Sequence, residues 1–361
     1  MFTPSRLSLA RKRRKMTSKG LAELAGISSV TVSRLETGKN EPDESTLAAL
    51  CAALGFPKQF FLGIEIDELP EKAASFRSMA AMTARERDAA LAAGSLAYLF
   101  ADWVERRFNL PTPNLPELAH ERVPSVAARE LRQHWGLGEK PIGNVLRLLE
   151  SQGIRVFSLT EDTRNIDAFS CWRDTVPYVF LNTLKSPEHS RFDAAHELGH
   201  LILHRHGGAR AGGKSAEAEA NSFASSFLMP QADVMATLPL VYALSQLVEA
   251  KRRWGVSVAA LAYRLHKLEI LSDWQYRSFC IQINKRGYRT DEPNGIDREE
   301  SVVWKTVFGQ LWSDQITKAH VAAELWIPLH ELENLVFGLL ANPSMGRDAA
   351  YVSGKPKLRG V

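Results

Sequence analysis

Ala194-Ala195-His196-Glu197-Leu198-Gly199-His200-Leu201 carries the spacing His-Glu-x-x-His. On a helix, positions i and i+4 lie one turn apart on one face, so two imidazoles so spaced can grip a single metal ion. The glutamate beside the first histidine is then placed to act as a general base toward water. The bland alternative is a pair of histidines on a helix surface. Displacing it requires a helical setting and a third ligand. Phe192, Ala195, Leu198 and Leu201 to Leu203 supply an apolar helix flank. Further on, Ser215 to Met229 places Ala, Phe, Leu and Met at helical spacing, and Pro230 stops the run. Glu217 and Asn221 stand four apart and share a face. A carboxylate from a second helix suits a catalytic zinc, which keeps one position open for water. Asn221 can then accept a hydrogen bond from a ligand imidazole and orient it.

His196-Glu197-x-x-His200, followed by Glu217-x-Glu219-Ala220-Asn221-x-Phe223-Ala224 and Phe227-Leu228-Met229-Pro230, resembles the ImmA/IrrE family of metallopeptidases. The approach Pro177-Tyr178-Val179-Phe180-Leu181-Asn182 and Arg191-Phe192-Asp193-Ala194-Ala195 is similar to that family too. The likeness spans roughly residues 140 to 235. It implies a zincin-like domain, His196 and His200 as metal ligands, Glu217 as the third ligand and Glu197 as the catalytic base. It also implies one Zn2+ per chain, or another divalent metal, and a protein substrate. Glu219 competes for the third-ligand role. Glu217 is preferred because glutamate-type zinc peptidases carry Glu followed four residues later by Asp or Asn.

The other end of the chain reads differently. Residues 1 to 64 hold ten Lys/Arg against five Asp/Glu, which accounts for the whole formal excess of +4 and points to an anionic partner. Residues 5 to 15 form a basic helix with Leu7 and Ala10 inward. Thr17 or Ser18 caps a second helix ending near Ala25, and Gly26 sits where a tight turn needs positive φ. Ser28 caps a third helix, Ser29 to Glu36, ended by Gly38. A fourth starts near Ser45, with Leu47, Leu50 and Leu54 buried and Phe56, Phe60 and Phe61 closing the core. This is helix-turn-helix spacing.

Leu21-Ala22-Glu23-Leu24-Ala25-Gly26-Ile27-Ser28, then Val32-Ser33-Arg34-Leu35-Glu36-x-Gly38 and Pro42, resembles the XRE (Cro/C1-type) DNA-binding domain over residues 4 to 62. The resemblance implies double-stranded DNA as partner and a homodimer on paired half-sites. It puts Ser28, Ser29, Val30 and Arg34 on the groove-facing side, and Arg11 and Ser18 near phosphates. Lys12, Arg13 and Lys15 add non-specific phosphate attraction.

Hydrophobic residues at 45% and charged residues at 24% of 361 positions describe a chain able to bury two or three cores. Cys51, Cys171 and Cys280 are scattered and read as reduced thiols of a cytoplasmic protein. No apolar run reaches membrane-spanning length, and the basic start lacks the apolar core of a signal peptide. The fold class is mainly α with a small β-sheet (α+β). We expect a helix-turn-helix domain at 1–64, a linker and helical adaptor at 65–123, the metallopeptidase domain at 124–290 and a helical C-terminal region at 291–361 with a disordered tail. Within these, a long helix runs Thr83 to Phe108, a shorter one 141 to 152, and strands cover Ile154–Leu159, Ile166–Trp172 and Val176–Leu181. Helices are also expected at 244–252, 257–266 and 273–283, with two or three between Val302 and Leu340. A sheet beside the active-site helix can hold an extended peptide on its edge strand, but which strand is the edge is not readable. His204 and His206 follow the motif and either assist the transition state or, as is commoner, meet the helix C-terminal dipole; His266 reads as a core or surface histidine before a ligand, and glycine pairs at 207–208 and 212–213 mark a flexible loop. No internal repeat is apparent.

These readings combine into a DNA-binding transcriptional regulator carrying a zinc endopeptidase that cleaves a regulatory protein. The target is a repressor in trans or the chain itself, most naturally between residues 63 and 82. The alternative is a regulator whose peptidase-like domain senses a ligand or metal without cutting.

Overall fold

The computed structural model describes residues 1–70, 75–76, 83–159, 168–205 and 214–340. The first unit is five helices: α1 (Pro4–Arg13), α2 (Ser18–Ala25), α3 (Ser29–Glu36), α4 (Glu44–Leu54) and α5 (Lys58–Phe61). Their ends are set by side-chain caps: Thr17 accepts from the Gly20 amide, Ser28 from Thr31 and Asp43 from Thr46. Gly26, at φ +67°, closes α2 in the left-handed region that glycine adopts without strain. Leu7, Leu21, Val32, Leu35, Leu50 and the three packed rings of Phe56, Phe60 and Phe61 are buried together.

The stretch expected to be an adaptor is interior structure. Thr83 and Glu86 form a reciprocal capping box that starts α6 (Ala84–Glu105), and nearly every residue from Ala89 to Val104 is buried. The helix is therefore covered on most sides, packed against α1 and against the sheet.

The sheet has the order β1-β3-β4-β2. Here β1 is Ser75–Phe76, β2 Arg155–Leu159, β3 Ala168–Arg173 and β4 Val176–Asn182. β3 and β4 are an antiparallel hairpin, and β2 runs parallel to β4. All five residues of β2 are buried, because helices cover both of its faces. Residues 166–167 of the expected second strand lie outside the described residues. The edge question is answered by β1: Ser75 and Phe76 pair antiparallel with Ser170 and Phe169.

Around the sheet lie α7 (Pro124–His134), α8 (Val145–Ser151), α9 (Pro187–Leu203), α10 (Lys214–Leu228), α11 (Gln231–Thr237), α12 (Leu244–Ala250), α13 (Val258–Lys267) and α14 (Asp273–Lys285). α8 begins later than expected because Asn144 caps it, accepting from the Arg147 amide. α9 is anchored at its base by two buried cations. Arg191 donates to the Trp254 and Ile142 carbonyls and pairs with Glu299, and Lys251 meets Glu188 at 3.1 Å and Glu292 at 3.2 Å. All three cysteines are free thiols, as expected. Among the described residues no helix is long and apolar enough to cross a membrane.

The C-terminal helices overturn one expectation. α15 (Val302–Ser313), α16 (Lys318–Leu325) and α17 (Leu329–Val336) repeat α1 to α3 at a constant offset of 300 residues. α2 and α16 span 18–25 and 318–325; α3 and α17 span 29–36 and 329–336. The repeat is hidden in the sequence because it preserves burial and turn geometry while most residue identities differ.

Candidate metal centre and nucleic-acid interface

α9 and α10 are packed unusually close because Gly199 faces Ala220 and Phe223. A Cβ at position 199 would lie 3.1 Å from the Phe223 ring and 3.2 Å from the Ala220 Cα. That approach carries Glu217, on the first turn of α10, to the histidines of α9. The Nε2 atoms of His196 and His200 are 3.1 Å apart, and each is 3.3 Å from a Glu217 carboxylate oxygen. All three ligand atoms lie within 4.8 Å of one another. His196 is fully buried, His200 almost so, and Glu217 is partly open to solvent.

The protons of this cluster follow from its neighbours. His196 Nδ1 is 3.1 Å from Asn221 Oδ1, an acceptor, so Nδ1 carries the proton and Nε2 presents a lone pair. Glu219 accepts from His204 Nε2 at 3.3 Å, which leaves His204 Nδ1 as an acceptor for the Nδ1–H of His200 at 3.0 Å. His200 Nε2 is then also a lone pair. Two imidazole lone pairs and a carboxylate thus converge on one point with no hydrogen among them. A cation at that point converts three mutually repelling acceptors into ligands, so the donor set fits a divalent metal of the zinc type.

Glu197 lies on the same helix, fully buried, with Oε2 accepting from Ser170 Oγ of β3 at 2.7 Å. Ser170 was not singled out in the sequence, since a serine in a strand carries no motif. The roles of His204 and Glu219 were also missed: Glu219 belongs to the line Glu219–His204–His200 and not to the ligand set. His206 and the glycine pairs lie outside the described residues. His266 is remote, bonded to Asp273 at 2.7 Å and stacked on Tyr276. A cleft of about 390 Å³, lined by His189, Phe192, Asn221, Ser257 and Tyr263 among others, opens beside the cluster. It is large enough for a bulky side chain.

At the other site, Ser28, Ser29, Val30 and Arg34 are all exposed on the outer side of α3, with Ser18 half-buried at the start of α2. Arg11 has partners inside the unit. Its guanidinium is bidentate to Glu36, at 2.6 and 3.0 Å, and donates to the Met16 carbonyl at 2.9 Å. It therefore ties α1 to α3. Arg13 is also withdrawn, pairing with Glu331 of α17 at 2.7 Å.

Residues 7–61 match the helix-turn-helix family, and residues 149–266 match the family of the IrrE N-terminal-like domain. No curated protein matches the chain. The two matches lie where the exposed α3 face and the His/Glu cluster lie. The chain is a fusion of a segment similar to XRE-type helix-turn-helix DNA-binding domains with one similar to the ImmA/IrrE peptidase domain.

Proposed function

We propose that the chain is a DNA-binding regulator whose metallopeptidase domain cuts a regulatory protein, and that its first target is its own segment between residues 63 and 82. The observation that carries this reading is the place of β1. Ser75–Phe76 comes from that segment and pairs antiparallel with β3 at Phe169 and Ser170, and Ser170 is the residue bonded to Glu197. Backbone pairing with an edge strand is how an extended peptide is held without regard to its sequence. A cut there severs the DNA reader's covalent link to the rest of the chain.

In this reading His196, His200 and Glu217 hold one zinc or another divalent ion, with Asn221 and His204 orienting the imidazoles. The ion, when bound, supplies Lewis-acid polarisation of the scissile carbonyl and activation of water. Glu197 takes a proton from the attacking water and delivers it to the leaving amine nitrogen, while Ser170 fixes the carboxylate's direction. Ser28, Ser29, Val30 and Arg34 face the major groove, Arg34 being suited to bidentate contact with guanine. A second reading, cleavage of a separate repressor, keeps the same site and exchanges only the strand on β3.

The test is incubation of purified full-length protein with zinc, followed by intact mass and N-terminal sequencing of fragments. The expected result is a cut between residues 63 and 82 that disappears in Glu197→Gln, a variant that retains metal. Fragments identical in wild type and Glu197→Gln would remove Glu197 from the base role. An uncut chain under all metal conditions would leave the second reading or the non-proteolytic sensor.

A further inference from the structure

The repeat of α1–α3 in α15–α17 extends to details that packing alone does not require. Thr17 and Thr317 both cap their second helices, accepting from the amides of Gly20 and His320. The turns before them use the same left-handed residue, Lys15 at φ 57° and Gln315 at φ 60°. The turns after them use Gly26 at φ 67° and Trp326 at φ 56°, although tryptophan gains nothing there by itself. Met16 N bonds to Arg11 O and Ile27 N to Ala22 O; Ile316 N bonds to Leu311 O and Ile327 N to Ala322 O. Leu7, Leu21, Val32 and Leu35 are buried, as are Val307, Val321, Leu332 and Leu335.

What has changed is the surface. Positions 4–38 hold eight basic and two acidic residues, whereas 304–338 hold two basic and four acidic. An acidic unit is repelled by a phosphate backbone. The groove-facing positions Ser28, Ser29, Val30 and Arg34 correspond to Pro328, Leu329, His330 and Asn334. The third helix is also no longer free. Ser158 of β2 donates to the Asn334 carbonyl at 2.5 Å, and Trp304, buried, donates to the Val156 carbonyl at 2.6 Å. Glu324 of α16 accepts from Trp103 of α6 at 2.8 Å and from Arg107, just beyond its end, at 2.6 Å.

From these contacts we propose that residues 302–339 are a second helix-turn-helix unit which binds protein and not DNA, clasping the first unit onto the peptidase core. The grip is Glu331, at the position of Thr31 in the first unit. It is 1% exposed and takes Arg13 on one oxygen and Arg14 on the other. Arg14 also donates to the Leu54 carbonyl at 2.7 Å and lies 4.8 Å over the Phe56 ring, so the grip reaches the reader's own core. The clasp does not depend on peptidase activity. Its consequence for the proposed function does: a cut in the connecting segment leaves the reader docked until the clasp opens.

The experiment inserts a site for an added, unrelated protease between residues 77 and 82 of the full chain, nicks it, and follows the pieces by size-exclusion chromatography. Nicked wild type is expected to elute as one species over a range of low urea concentrations in which nicked Glu331→Gln, held then only by α1 on α6 and β1 on β3, releases the N-terminal fragment. Arg13→Ala with Arg14→Ala, made on the reader's side of the same contact, should release it equally with helical circular dichroism unchanged. Release from nicked wild type, or retention in both variants, overturns the clasp. The DNA half of the proposal is tested on a short mixed-sequence duplex. Arg34→Ala is expected to weaken binding about tenfold or more, and Asn334→Ala, the equivalent position, to change it by less than about twofold. Comparable losses would make the second unit a DNA reader.

Discussion

Replacing Asn221 by Ala removes the acceptor that fixes the proton of His196. The bond is neutral, 3.1 Å long and half-buried, which makes it worth about 0.5–1.5 kcal/mol by itself. The larger effect comes from the imidazole it releases. Without Asn221, His196 can carry its proton on Nε2, the atom 3.3 Å from Glu217, and in that form it cannot ligate. Loss of such an outer partner costs about tenfold to hundredfold in metal affinity, or roughly 1.4–2.7 kcal/mol. Competition of the full-length protein against a chromophoric zinc chelator measures this directly, with circular dichroism as the control for folding. Asn221→Asp keeps an acceptor in place and should restore wild-type affinity or exceed it. An Asn221→Ala protein that is folded and binds zinc within about twofold of wild type would refute the proton assignment.

Acid should loosen the clasp. Burial pushes the Glu331 carboxyl up, but the hydrogen bond with His330 and the charges of Arg13 and Arg14 hold it at about 2, below its ordinary 4.5. A depressed carboxyl stabilises the fold fully above the unfolded value and loses that contribution as pH falls toward the folded one. The term is roughly 3 kcal/mol, so the urea-stability gap between wild type and Glu331→Gln should narrow between about pH 6 and pH 3; a constant gap counts against it. Gly153→Ala should cost about 3 kcal/mol or more, because φ is +79° and a Cβ there would lie 2.3 Å from the Thr112 carbonyl carbon. An unchanged urea midpoint would contradict that backbone approach.

Local chemistry was legible and tertiary use of charge was not. Thr17, Ser28 and Gly26 announced the boundaries of α2 and α3 because caps and left-handed turns act through neighbours in sequence. His196, His200, Glu217 and Asn221 were legible because helical spacing converts directly into a shared face. The protein partners of Arg11 and Arg13 were not legible because a guanidinium reads the same whether it meets a phosphate, Glu36 or Glu331. The Glu219–His204–His200 line stayed hidden because it joins residues 15 positions apart, a spacing with no helical or strand period. β1 stayed hidden because two residues in a polar segment carry no period. The α15–α17 repeat escaped because Thr17, Ala22, Ile27, Leu35 and Gly38 recur at 317, 322, 327, 335 and 338 while the surface between them changed sign.

The contact between Arg13 and Glu331 spans 318 residues, which sets an order of events during synthesis. The five helices of the first unit make their contacts within about the first 60 residues and can fold as soon as these leave the ribosome. β2 and α6 cannot receive α17 until nearly the whole described chain has been made. A nascent chain therefore carries a finished DNA-reading surface, with Arg13 and Arg14 still uncovered, for most of its time in translation. Until Glu331 is made, Arg13 and Arg14 lack the carboxylate that offsets their charge in the folded chain.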